Sequence, residues 1–156
     1  MSAIKSSLIT ILALTLLALS PHVSHATGKE FYELISELER VEWVSGEATG
    51  YGAQPGQFFL LYEKIMKAGN EEDFIRLTMH SNPVIRVMGL LCLANIDPVK
   101  HKELLEGFYK DVTKVGYQPF GCVVDESTVG EIARQIVNDP RVLYLEHWDK
   151  EDAVTQ

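Results

Sequence analysis

The sequence feature that most constrains the fold is the segment PVIRVMGLLCLANI, residues 83–96, whose side chains are apolar on almost every helical face. Only Arg86 and Asn95 interrupt it. Asn82 can cap a helix here, and Pro83 suits the first helical position because its missing N–H needs no partner there. A helix that is apolar all round must be covered on every side. Other elements therefore have to surround this segment.

Amphipathic patterns on both sides of this segment predict further helices. Apolar side chains recur at helical spacing within residues 31–41, 57–68, 71–79, 99–109 and 129–137. The central helices are joined by very short turns, which makes neighbouring helices antiparallel. Gly89 in the middle of the central helix lowers helix propensity by about 1 kcal/mol relative to alanine and predicts a close helix–helix approach. The sequence thus predicts an all-α fold, a short stack of antiparallel helical hairpins with about six helices.

Two segments, residues 45–56 and 111–124, lose the helical period. The first contains four glycines and Pro55, and the second is broken by two glycines and a proline. Both are predicted to be loops, with strand signals confined to fragments near 115–124 and 141–146. A loop of this length is often functional in a compact domain, and a flexible connector is the alternative.

The first 26 residues have the pattern of a secretory signal peptide. Lys5 precedes an uncharged apolar stretch at residues 8–19, and Ser24 and Ala26 place small residues at a cleavage site. The apolar stretch is shorter than the roughly 20 residues that span a bilayer. We therefore predict a cleaved signal, a single domain over residues 27–156, and export to the periplasm or the extracellular space without a membrane span.

Charge and motifs exclude several function classes. The chain has 14 Lys+Arg against 22 Asp+Glu, a formal net charge of −8, which argues against nucleic-acid binding because phosphate contacts need clustered basic residues. The familiar signatures of hydrolases, nucleotide-binding loops and zinc proteases are absent. His80, His101 and His147 have no metal-ligand spacing. We therefore expect no cofactor, no metal and no catalytic residue.

The two cysteines leave three alternatives open. Cys92 and Cys122 could form a disulfide, which export would permit. They could instead be unpaired thiols, with Cys92 a small buried apolar residue among leucines. In the third alternative, one cysteine is a nucleophile paired with His80 or His101, although nothing near either cysteine in the sequence would lower a thiol pKa.

Five residues are the candidates for contacting a partner. Tyr51 and Gln54 lie in the first predicted loop, and Tyr117 and Phe120 in the second. Arg86 stands out because it interrupts an apolar helix, and a buried arginine must be paired. Its structural interpretation is a bond to a carboxylate or to loop carbonyls, and its functional interpretation is an anion contact at the edge of a groove.

The pattern of residues 70–96 resembles a HEAT-type repeat. A helix, a tight turn at Asn82-Pro83 and a second helix that opens with Val84-Ile85-Arg86 carry the resemblance. Together with residues 50–56 before a helix and Gly121-Cys122 before the last helix, the chain is similar to an uncharacterised group of bacterial secreted HEAT-like proteins. The resemblance implies a helical scaffold and draws attention to residues 50–56 and 117–122, but it implies no activity and no catalytic residue.

These observations favour a binding module over an enzyme. We expect an exported scaffold that holds a protein partner through its loops. By analogy, an inhibitor or immunity-type protein would neutralise a basic target in this way. One alternative is a small hydrolase or thiol-dependent enzyme that uses cysteine or carboxylate side chains. The other is a purely structural envelope protein. The partner's identity and the oligomeric state are not predicted.

Overall fold

The computed structural model describes residues 26–145, with side chains from residue 28 onward. Most of the predicted signal peptide and the last residues of the chain, with His147, lie outside this range. The described elements are α1 (Ala26–Leu38), β1 (Trp43–Thr49), α2 (Gln57–Ala68), α3 (Glu71–Thr78), α4 (Pro83–Ile96), α5 (Pro98–Gly107), a 3₁₀ turn (Phe108–Lys110), β2 (Lys114–Gly121), β3 (Asp125–Thr128) and α6 (Val129–Asn138).

The prediction of an all-α fold is wrong, because the described chain combines helices with a three-stranded mixed sheet. The strand order is β1-β2-β3, with β1 parallel to β2 and β2 antiparallel to β3. β1 begins where the first helix was expected to end, and it occupies part of the predicted loop 45–56. β2 occupies most of the predicted loop 111–124. The protein is therefore α/β, and the stack of helical hairpins is limited to its middle.

The register of the parallel pair contains a bulge. Trp43 is opposite Gly116, and Thr49 is opposite Gly121, but the pairing shifts between Ser45 and Ala48. Gly46 lies in this shift, and a Cβ there would overlap the carbonyl oxygen of Pro119. The bulge therefore requires glycine, because backbone atoms of the neighbouring strand occupy the space of a side chain.

The predicted central helix is confirmed. Ten residues of α4 are buried, and they are surrounded by α3, α5, α6 and the inner face of the sheet. A Cβ on Gly89 would lie 2.8 Å from the carbonyl oxygen of Phe74 and 2.8 Å from the backbone nitrogen of Thr78. The expected close helix–helix approach is thus the contact of α4 with α3.

The predicted helix starts are also confirmed where side-chain caps define them. Asn70 and Thr128 each form a reciprocal capping box with the residue three positions later. Asn82 accepts a hydrogen bond from the backbone of Val84, and Asp97 accepts one from the backbone of Lys100. These local bonds satisfy N–H groups that have no partner inside the helix, which fixes the helix boundaries around the core.

Candidate binding surface

Two turns meet at the end of the parallel strand pair. Residues 50–54 follow β1, and residues 120–124 include the end of β2 and the turn into β3. The backbone N–H of Gly50 donates a hydrogen bond of 2.7 Å to the carbonyl oxygen of Gly121. We call these two segments together the loop surface. Sequence reasoning named both segments but did not show that they are neighbours.

The first turn is held in one conformation by its own hydrogen bonds. Thr49 and Gln54 bond to each other through their backbones, and the Thr49 hydroxyl also donates to the carbonyl oxygen of Gln54 at 3.0 Å. The Gln54 side chain donates to the carbonyl oxygen of Gly52 at 3.0 Å. Ala53 has a φ of 47°, a conformation that disfavours residues with a Cβ. Gln54, a predicted contact residue, thus organises the turn that presents Tyr51.

The loop surface exposes apolar side chains. Tyr51 is fully exposed at 103% of its reference area, Val123 is exposed at 65%, and Phe120 and Val124 are about two-fifths exposed. Residues 48–57 and 115–124 contain no Lys, Arg, Asp, Glu or His, although 23% of the chain is Asp, Glu, Lys or Arg. Exposed apolar clusters bordered by polar residues mark interaction sites in soluble proteins. This surface is therefore the candidate binding site.

Tyr117 is not part of this surface. Only 7% of its area is exposed, and its hydroxyl donates a 2.6 Å hydrogen bond to the side-chain oxygen of Gln135 on α6. Burial raises the pKa of this phenol. The side chain points into the core because β2 alternates its faces at this position. Its role is to join the sheet to α6.

Arg86 makes the contacts of its structural interpretation, which are bonds to a carboxylate and to loop carbonyls. Its Nε lies 3.2 Å from Asp111 Oδ2, and its Nη1 donates to the carbonyl oxygens of His80 and Ser81 at 3.0 and 2.9 Å. Its side chain is 12% exposed. Burial alone would raise the pKa of Asp111, but hydrogen bonds from Thr113 and the charge of Arg86 outweigh that effect and lower it. The guanidinium donors are thus occupied by the protein itself.

Of the three alternatives for the cysteines, the disulfide is wrong, because the two cysteines are not bonded. Cys92 is buried in the middle of α4, whereas Cys122 is exposed on the loop surface. Burial raises the pKa of the Cys92 thiol, which keeps it protonated and unreactive. The sequence alone could not exclude the pairing, because it does not show that Cys92 is buried in α4 while Cys122 is exposed on a turn.

The described histidines, His80 and His101, each lie near one glutamate. Among the described residues no group of three or more His, Cys, Asp or Glu side chains is arranged to hold a metal ion. His101 is buried, and its Nε2 lies 3.7 Å from Glu71 without a hydrogen bond. His80 Nε2 lies 3.9 Å from Glu39 at the protein surface.

Sequence reasoning missed three residues of the loop surface: Cys122 as a surface residue, Val123 and Val124. The uncharged run VGYQPFGCVV could have indicated them. Comparison of the sequence with models of protein families and with curated protein sequences finds no match. Within residues 26–145, no helix combines the length and apolar character needed to cross a membrane. The resemblance to HEAT-like proteins therefore stays a prediction.

Proposed function

We propose that the protein is an exported binding module that holds a basic protein partner against the loop surface. The observation that carries this proposal is a fully exposed tyrosine, Tyr51, on a turn fixed by hydrogen bonds beside Phe120. Tyrosine is enriched among the residues that dominate binding energy at protein interfaces. A turn that is already ordered loses little conformational freedom on binding.

The form of the surface favours a protein partner over a small molecule. Small-molecule sites are concave and enclose most of their ligand. Tyr51 instead projects from the protein with no part of its side chain covered. Such a residue gains buried area only when a partner supplies the pocket, and the exposed Phe120 and Val123 of the second turn would widen the contact.

Charge favours a basic partner. The chain has a formal net charge of −8. The two uncharged runs are bordered by Glu47, Lys114 and Asp125, and the charge of Lys114 is paired with Glu126. Asp125 is exposed at the start of β3. Carboxylates at the rim of an interface accelerate association with a positively charged partner and disfavour acidic ones. Neutralisation of a basic toxin or enzyme, as in immunity-type inhibitors, fits this chemistry by analogy.

Export is the second part of the proposal, and it rests on the signal pattern of residues 1–26. A module released outside the cytoplasm would meet secreted or envelope proteins rather than nucleic acid. The acidic balance of the chain agrees with that choice of partner.

The test compares which proteins are recovered in equimolar amount with the wild type, with two loop variants and with a control variant. Tagged protein is isolated from the envelope and medium of its own cells, in parallel with Tyr51→Ala, Phe120→Ala and the control Met79→Ala. Met79 is 73% exposed at the end of α3, so the control removes a comparable apolar side chain elsewhere. Thermal unfolding checks that all four proteins are folded.

We expect one basic protein at equimolar amount with wild type and with Met79→Ala. Loss of an aromatic anchor should weaken binding by about 2 kcal/mol, roughly thirtyfold, so both loop variants should lose the partner. Equal recovery with Tyr51→Ala and Phe120→Ala would refute the loop surface as the site. Absence of any equimolar partner would refute the binding function.

A further inference from the structure

A second site lies beside the start of β1, in a cleft of about 340 Å³. We call it the Trp43 cleft. One wall is the connection from α1 into β1, with Arg40, Glu42 and Trp43, and the opposite wall is the first turn of α2, with Gln57. Gln118 of β2 also lines it. The volume lies at the lower end of the range for small-molecule sites.

The two walls are held together by a buried hydrogen bond. Ser45 is 2% exposed, and its hydroxyl oxygen accepts from the backbone N–H of Phe58 at 3.2 Å. Gly56 lies so close to Ser45 that a Cβ there would overlap the serine side chain. The first turn of α2 is thus fixed against β1, which preforms the cleft.

Several polar groups around the cleft have hydrogen-bond donors or acceptors that remain available to a ligand. Within residues 26–145 the side chains of Arg40, Glu42 and Gln57 have no hydrogen-bond or ion-pair partner. Gln118 is 93% buried and uses its Nε2 to donate to the carbonyl oxygen of Gly121 at 2.7 Å, which leaves its Oε1 as a further acceptor. The cleft therefore offers both donors and acceptors.

The cleft is also close to neutral and has an aromatic side chain at its edge. Arg40 and Glu42 contribute opposite charges, and Gln57 and Gln118 contribute none. Trp43 is 38% exposed. A balanced set of donors and acceptors beside an indole suits a neutral ligand whose hydroxyl groups both donate and accept, and whose ring has apolar C–H faces. A phosphate or a simple cation would use only half of these groups.

The cleft continues into a shallower groove along α1. Arg40 and Gln57 line both of them, and the groove runs on past Ser36 to Tyr32. Its other lining residues are Lys29, Glu33 and Glu37, so the groove carries two positive and two negative charges and is neutral on balance. Tyr32 is 62% exposed. Two exposed aromatic side chains along one continuous depression fit a chain of several rings better than a single compact molecule.

We propose that the Trp43 cleft binds a neutral sugar and that the groove towards Tyr32 accepts further rings of the same oligosaccharide. The sugar ring would contact the indole of Trp43. Its hydroxyl groups would bond with the polar side chains of the cleft, which are Arg40, Glu42, Gln57 and Gln118. The proposed sugar contacts use other side chains than those exposed on the loop surface, although Gln118 joins the two sites through its bond to Gly121. The protein would hold a glycan and a protein partner through different residues.

The test is a tryptophan fluorescence titration with defined sugars. Trp148→Phe leaves Trp43 as the single tryptophan, since the chain has two. The probes are cellobiose, maltose and the β-1,4-linked dimer of N-acetylglucosamine, with glycerol as the control for solvent effects. We expect a saturable change in fluorescence for at least one disaccharide, with a dissociation constant of about 1 mM. Binding should be weak because the site is small and encloses only part of the sugar.

Variants locate the binding. Trp43 lies against Gly116 in the sheet, so replacing it would disturb the fold as well as the cleft. Arg40→Ala and Gln57→Ala are therefore the primary variants, because both residues are on the surface. Each should weaken binding at least about tenfold, a loss of about 1.4 kcal/mol. Lys67→Ala, at the other end of α2, removes a matched positive charge and should bind as wild type does, as should Tyr51→Ala.

Three results would overturn the proposal. The first is no saturable change with any disaccharide beyond that of glycerol. The second is binding that Arg40→Ala and Gln57→Ala leave unchanged. The third is tighter, variant-sensitive binding of a hexalysine peptide, which would make the cleft a site for basic chains instead.

Discussion

Replacing Arg86 by methionine is the perturbation whose effect the structure defines most closely. The guanidinium joins three parts of the chain: it pairs with Asp111 at 3.2 Å and donates to the carbonyl oxygens of His80 and Ser81. Methionine keeps much of the side-chain volume but removes every donor. The variant therefore isolates the polar contribution of this residue.

The size of the loss follows from the burial of the pair. Breaking a fully buried ion pair costs about 3–5 kcal/mol because the remaining charge is left without a partner. The side chains of Arg86 and Asp111 are 12% and 20% exposed, so water compensates in part. Two carbonyl oxygens also lose a charged donor. We expect the free energy of unfolding to fall by about 2–4 kcal/mol.

Urea denaturation followed by circular dichroism measures this change. The matched control is Arg76→Met, because Arg76 pairs with Glu72 at the surface, where the side chains are 55% and 76% exposed. Such a pair contributes at most about 1 kcal/mol. A loss below about 1 kcal/mol for Arg86→Met, or equal losses for both variants, would refute the structural role of Arg86.

The pH dependence gives a second readout of the same pair. The pKa of Asp111 is lowered in the folded protein, despite its burial, by Thr113 and Arg86. A lowered pKa adds stability above the ordinary value, and that stability is lost as the pH falls through the folded value. The difference in unfolding free energy between wild type and Asp111→Asn should thus be constant above about pH 5 and shrink below about pH 4. A difference that grows on acidification would contradict the reasoning.

Three further predictions concern single side chains. Gly46→Ala should destabilise the fold by about 3 kcal/mol or more, because its Cβ would overlap the carbonyl oxygen of Pro119, and an unfolding midpoint near wild type would contradict the bulge. Tyr117→Phe should cost about 0.5–1.5 kcal/mol through loss of the 2.6 Å bond to Gln135, measured by the same denaturation. A thiol assay on native protein should count one reactive group, Cys122, and a second only after unfolding; no reactive thiol before reduction would indicate a bridge.

The helices could be predicted from the sequence because their signals are local. Asn82-Pro83 and Asp97-Pro98 mark helix starts through bonds within a few residues, and α2 spans the predicted residues 57–68. The strand fragment expected near 115–124 corresponds to β2, but β1, β3 and the pairing of the strands were not predicted. The parallel partners Trp43 and Gly116 are more than 70 residues apart in the sequence, and no short-range pattern specifies such pairing.

The candidate site was predicted in part for the same reason. Tyr51 and Phe120 were identified as aromatic residues in irregular segments, but their proximity depends on the pairing of β1 with β2. Tyr117 was assigned to the same surface because the segment was read as a loop. Its position in a strand is what turns its side chain towards the core. Arg86 was ambiguous until Asp111, 25 residues later, was placed beside it.

The bulge in β1 explains how one short strand serves two surfaces. Before it, Trp43 and Ser45 line the cleft; after it, Ala48 and Thr49 pair with the end of β2 and lead into the turn of Tyr51. A bulge adds a residue and changes the direction of its strand. Pro119 on the neighbouring strand has no N–H to donate, and proline within sheets is confined to edges and bulges. A proline that cannot complete the ladder and a glycine that fits against its carbonyl oxygen thus occupy the position where the strand changes register. Beyond that position, Thr49 lines the Trp43 cleft and also anchors the turn of Tyr51, so the strand contributes to both candidate sites.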